Sequence, residues 1–157
     1  MSYLLILMPL LLVIVIIMIL YRICFIQCGP TCGFYATVYA CNKLKKENKR
    51  KDVRKLLFQF LNEGKTQIGE IFTKEAMQDI LESHAKKCGL TVSMMKTHTR
   101  KQIEDILDDE KIIIMPYMGL QTVHYCVLFK KNDKYKMWHS GKGIAQNADI
   151  EDRKSVV

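Results

Sequence analysis

From Tyr3 to Tyr21 the chain carries no charged residue, and Leu, Ile, Val and Met fill most of the run. Such a stretch has few fates. Crossing a bilayer takes ~20 consecutive apolar residues, so the expectation is a transmembrane helix over residues 3–21, within an anchor that occupies residues 1–24. A cleaved signal peptide fits less well, because no basic residue precedes the run and no small-x-small cleavage site follows it. A buried core helix would need a partner layer that the rest of a 157-residue chain could hardly supply. Pro9 is compatible with a span, since membrane helices tolerate proline near their ends.

Lys and Arg are retained on the cytoplasmic side of a span. Here nothing charged precedes the run, whereas Arg22, Lys43, Lys45, Lys46, Lys49, Arg50, Lys51, Arg54 and Lys55 follow it. The expected topology is single-pass, with the domain in the cytoplasm. The formal net charge of +8 lies wholly outside residues 1–21. A basic segment beside a membrane attracts anionic headgroups by roughly 1 kcal/mol per well-placed cation, which makes Lys43 to Lys55 a candidate lipid contact; a solvated helix face is the plainer alternative. Nucleic acid is not expected as a partner, because no aromatic interleaving or known binding module accompanies the charge.

In a reducing compartment the 6 cysteines are expected to be reactive or simply buried rather than bridged. Cys41 and Cys88 fall on apparent helices and Cys126 on an apparent strand, positions where a thiol packs as a small apolar residue.

Gly29-Pro30 reads as a turn and Thr31 as a helix cap, opening a helix that is apolar on most sides through Phe34, Val38, Cys41 and Leu44. Val53, Leu56, Leu57, Phe60 and Leu61 recur at helical spacing over Lys51 to Asn62. Thr73 caps a third helix whose stripe is Ala76, Met77, Ile80, Leu81 and Ala85, and Leu90 to Met95 reads as a short strand. Thr99 with Gln102 forms a capping box for a short helix through Ile103, Ile106 and Leu107. Three strands follow, Lys111 to Tyr117, Val123 to Lys131 and Lys134 to Ser140, the last two joined by a tight Asn132-Asp133 turn. From Gly141 the chain reads as a frayed polar tail. Helices first and an antiparallel sheet after them make an α+β domain over residues 25–145, followed by a polar tail over 146–157.

A thiol becomes a nucleophile when its pKa is lowered, and a helix N-terminus does this by offering partial positive charge to the thiolate. Cys32 stands at that position, directly after the Gly29-Pro30-Thr31 turn. Thiolate attack on a carbonyl also needs donors for the developing oxyanion; the Gln27 side-chain amide and the Cys32 backbone amide are the candidates. The base is sought among histidines, which titrate near neutrality. His124 enters an otherwise apolar strand, where an uncommitted imidazole is costly to bury, while His84 and His98 lie in polar segments read as exposed.

Taken together, Gln27-Cys28-Gly29-Pro30-Thr31-Cys32-Gly33 and His124-Tyr125-Cys126-Val127 resemble the active-site signature of papain-like cysteine peptidases, in particular the bacteriocin-leader peptidases and the actin maturation proteases. The resemblance implies a papain-like fold, in which a central helix bearing the nucleophile packs on the C-terminal sheet. It also implies that Gln27 builds the oxyanion hole, Cys32 attacks and His124 acts as base on a peptide or protein substrate, with no metal or cofactor. In those families an Asp or Asn after the histidine orients the imidazole; here Trp138-His139-Ser140 stands in that place. A two-residue turn at Asn132-Asp133 sets Cys126 opposite His139 and brings His139 to the face of His124, whereas a three-residue loop would bring Ser140 there. His139 is therefore the expected third residue.

Cys28 reads as a turn residue or a resolving thiol for Cys32, in preference to a third reading as the nucleophile itself, because Cys32 alone directly heads the helix. Cys28 to Cys32 also resembles a thioredoxin-type pair with one extra residue, but that class needs a strand leading into the motif within a βαβ unit. A metal site from Cys24, Cys28 and Cys32 lacks a matching ligand pair downstream. A catalytically idle papain-like binding module is the remaining alternative to a peptidase.

Overall fold

The computed structural model describes Pro9, Leu12, Val13 and residues 30–47, 49, 51–71, 73–95, 99–118 and 123–148. Four helices are described: α1 (Cys32–Lys45), α2 (Lys51–Asn62), α3 (Lys74–Lys87) and α4 (Arg100–Ile106). Four strands follow, β1 (Ile112–Met118), β2 (Val123–Lys131), β3 (Lys134–His139) and β4 (Gln146–Asn147), in one antiparallel sheet of order β1-β2-β3-β4.

The expected transmembrane helix is corrected. Among the described residues no helix is long and apolar enough to cross a membrane. The longest described helices, α1 and α3, have 14 residues each, against the ~20 that a span requires. Within residues 3–21 only Pro9, Leu12 and Val13 are described, as helical; the rest of that segment lies outside the described residues. Single-pass membrane localisation is accordingly not supported, and no lipid association is shown. The basic run has partners within the protein: Lys43 sits over the Phe129 ring at 4.1 Å, Lys49 pairs with Glu47 at 2.7 Å, and Lys55 lies 4.0 Å from Asp52.

The rest of the α+β expectation is seen. Helix α1 is apolar on most sides because it is surrounded: it packs on β1 and β2 and against α2 and α3. Phe34 and Val38 are fully buried, and they join Val53, Leu56 and Phe60 of α2, Ile80 of α3, Val127 and Phe129 of β2 and Trp138 of β3 in one core. Phe34 meets Phe60 edge-on at 5.7 Å, and Tyr39 stacks flat on Trp138 at 4.0 Å. Helix α4 covers the opposite face of the sheet, where Ile103 and Leu107 pack with Cys126, Leu128 and Met137.

Local signals account for most boundaries. Thr73 accepts a hydrogen bond from the Ala76 N–H at 3.1 Å, and Thr99 with Gln102 closes a reciprocal capping box. Asn132 and Asp133 both take left-handed backbone angles (φ 51° and 55°), as a two-residue primed turn requires, and the register sets Lys131 opposite Lys134 and Cys126 opposite His139. Three local expectations differ. Leu90 to Met95 forms no strand, because Thr91, Ser93, Met94 and Met95 are exposed and no ladder is available to them. The chain after Gly141 does not simply fray: Gln146 and Asn147 pair with Met137 and Lys136 as β4. Thr31 occupies the N-cap position of α1 without capping it by its side chain, since its φ −109° and ψ 22° lie outside the extended region from which a cap reaches back. With every described strand pair antiparallel, the described residues contain no βαβ unit of the kind a thioredoxin-type motif needs.

Candidate active site

Cys32 is the first residue of α1, half-buried and unbridged, beneath the exposed Pro30. The first turn of this helix holds no acidic residue, and the Thr31 hydroxyl does not accept from its amides. Its N–H groups thus remain directed toward whatever lies at the helix start, where their partial positive charge favours a thiolate or an oxyanion. Behind the thiol the helix is held rigidly. Thr37 donates to the Gly33 carbonyl at 2.9 Å in the buried interior, and the Tyr35 N–H donates to the Thr31 carbonyl at 3.1 Å.

Two glycines allow the surroundings to close on this turn. A Cβ on Gly33 would collide with the tip of the Ile71 side chain and come within 3.1 Å of the Met77 sulfur, so glycine lets α3 and the segment before it approach the start of α1 closely without displacing those side chains. That segment, Thr66 to Ile71, folds around its own polar groups. The Gly69 N–H donates to Thr66 Oγ1 at 2.8 Å, the Ile68 N–H donates to the Glu70 carboxylate at 2.9 Å, and Thr66 Oγ1 donates to the Glu70 carbonyl at 3.1 Å. Backbone N–H groups, its own first, hold the Glu70 carboxyl below the usual carboxylate range. Gly69 takes φ +95° and lies against the Thr31 methyl, which wedges the loop over the start of α1. This loop was not marked by any sequence motif; the pair Thr66 and Glu70 around a glycine is the one local signal that points to it.

Across from α1, β2 alternates its side chains between the two sheet faces. Tyr125 goes with Val127 and Phe129 toward α1; its phenol is pushed up by burial and, secondarily, by the neighbouring Cys32. Tyr125 is therefore a site neighbour that the sequence reading did not single out. His124 goes with Cys126 and Leu128, on the face covered by α4, and pairs with Tyr117 of β1. The Cys126 to His139 pair is the last between β2 and β3, so His124 and Tyr125 project beyond it at the rim of the sheet.

The four residues expected to form the site fall out as follows. His124 and His139 share one face, both half-buried, through the register foreseen for a two-residue turn. Cys32 stands on the helix of the other face, beside Tyr125. Ser140, 1% exposed, lies just past the end of β3, in the turn after His139. Gln27, Cys28 and Cys24 lie outside the described residues, as does His98. His84, expected to be exposed, is instead buried at 6% exposure on α3.

No curated protein and no solved structure matches the chain. One family model does, over residues 23–124, more than half of the chain: the actin maturation protease-like family, C-terminal domain.

Proposed function

The chain belongs to the actin maturation protease-like family, and from that premise we propose that it is a papain-like cysteine peptidase whose nucleophile is Cys32. The observation that carries this reading is the position of Cys32: a half-buried, unbridged thiol heading a buried helix whose first turn contains no acid. The Cys32 thiol gives its proton to His124, and the thiolate attacks the carbonyl carbon of a peptide bond. The Gln27 side-chain amide and the Cys32 backbone N–H hold the oxyanion. His124, oriented by His139, returns the proton to the leaving amine. Water then hydrolyses the thioester and frees the thiol. No metal enters these steps. The substrate is a peptide or protein, and the family name makes immature actin the first one to test.

Cys32→Ala abolishes cleavage of such a substrate, followed by mass spectrometry, while Cys28→Ala retains most of it. The reverse result moves the nucleophile to Cys28. One observation favours a second reading, an idle papain-like binding module: the alternation of β2 turns Tyr125 rather than His124 toward α1. The two readings separate by labelling with a thiol-directed electrophile. A peptidase labels fastest at Cys32, ahead of Cys41, Cys88 and Cys126, whereas an idle cysteine labels no faster than these.

A further inference from the structure

Farther along α1, away from the nucleophile, a second cluster of reactive side chains is assembled from two helices. Cys41 projects from α1 at 4% exposure, and α3 answers with His84, at 6% exposure, and Cys88, one helical turn later at its C-cap. Their ligand atoms all lie within 4.8 Å of one another, with Cys88 Sγ 3.9 Å from His84 Nε2. Spacing by four residues puts two side chains on one helix face, the arrangement by which helical ligand pairs grip an ion.

We propose that Cys41, His84 and Cys88 form a zinc site that ties the nucleophile-bearing helix to α3. The donor set is the first argument. Two sulfurs and an imidazole are the ligands chosen by zinc, and hard cations such as magnesium or calcium take oxygen instead. Geometry is the second. A tetrahedral ion with Zn–S near 2.3 Å and Zn–N near 2.0–2.1 Å sets sulfur and nitrogen about 3.6 Å apart, so the observed 3.9 Å closes by a small side-chain adjustment. Burial is the third: Cys41 and His84 are buried and Cys88 is half-buried, so two of the three donors are shielded from competing water.

Charge is consistent with the assignment. On binding, each thiol releases its proton to solvent, and two thiolates balance a divalent cation, so the buried complex of ion, sulfurs and neutral imidazole carries no net charge. Among the described residues no other His, Cys, Asp or Glu joins the three. The site is distinct from the proposed peptidase centre and stands or falls without it.

The test uses the full chain and cobalt(II) as a spectroscopic substitute for zinc. The expected result is one cobalt per chain, with thiolate charge-transfer and tetrahedral d–d absorption that zinc displaces. Cys41→Ser and Cys88→Ser remove that absorption, and Cys32→Ser keeps it. Absence of the absorption in the unsubstituted protein overturns the proposal, as does its loss in Cys32→Ser or its persistence in the Cys41→Ser, Cys88→Ser double variant. Should the serine variants fail to fold, alkylation of the unsubstituted protein decides. Zinc at about ten times its Kd slows labelling of Cys41 and Cys88 about tenfold and leaves Cys32 unchanged; equal rates with and without zinc overturn the assignment. A Cys41 to Cys88 disulfide recovered from non-reduced protein that binds no cobalt overturns it equally.

Discussion

Gly33 shows how one missing methyl group shapes the candidate site. The residue after Cys32 faces the tip of the Ile71 side chain and the Met77 sulfur, which must shift to admit a methyl group. Gly33→Ala is therefore expected to destabilise the domain by about 1–3 kcal/mol, the usual range for overpacking a core, although alanine has the higher helix propensity. Urea unfolding checks the sign: an unchanged or raised midpoint would mean that Ile71 moves freely. Residue chemistry was only partly legible in the sequence. Cys32 announced itself through the turn before it and the apolar helix after it, both local features. His84 did not, because its neighbours Glu82, Ser83, Lys86 and Lys87 are polar and only the crossing of α3 with α1 decides which side is buried. Tyr125 was hidden for the same reason: its approach to Cys32 joins residues remote in sequence.

At the scale of elements, capping and turn chemistry carried the reading. The Thr73 cap, the Thr99 and Gln102 box and the Asn132-Asp133 turn are made by residues adjacent in sequence, and each set the boundary expected of it. Thr73→Ala should cost about 1 kcal/mol, seen as a lower midpoint in thermal or urea unfolding; no change would mean that α3 owes its start to packing alone. Where an element depends on a distant partner, the sequence said less. Leu90 to Met95 has the composition of a strand, yet pairing needs a free sheet edge at the right height, and composition is silent about that. Gln146 and Asn147 pair in spite of polar, unremarkable side chains because the turn after His139 returns the backbone to β3.

On the scale of the whole molecule, the sheet is enclosed by α1 on one face and α4 on the other, and polar contacts at the surface respond to acid. The Lys111 ammonium, first, and backbone amides hold the Asp108 carboxyl below its ordinary range, and backbone amides do so for Glu70. A carboxyl whose folded pKa is depressed stabilises the fold above its unfolded pKa, about 4, and that contribution fades as pH falls through the lower folded value. Stability should therefore decline below about pH 4, and Glu70→Gln should flatten that decline; urea midpoints across pH 3 to 6 supply the measurement, and an unaltered slope would remove Glu70 from the account.

The central position of α1 has a consequence during synthesis. Its core partners on β2 and β3, Val127 and Trp138, come late in the chain. At ~5–20 residues per second, α1 leaves the ribosome on the order of 10 s before they exist. Through that interval Phe34 and Val38 lack the sheet that completes their burial, which invites a chaperone, and the helix that Cys32 heads has only α2 and α3 to pack against. The core around α1 is thus completed only when the last strands arrive.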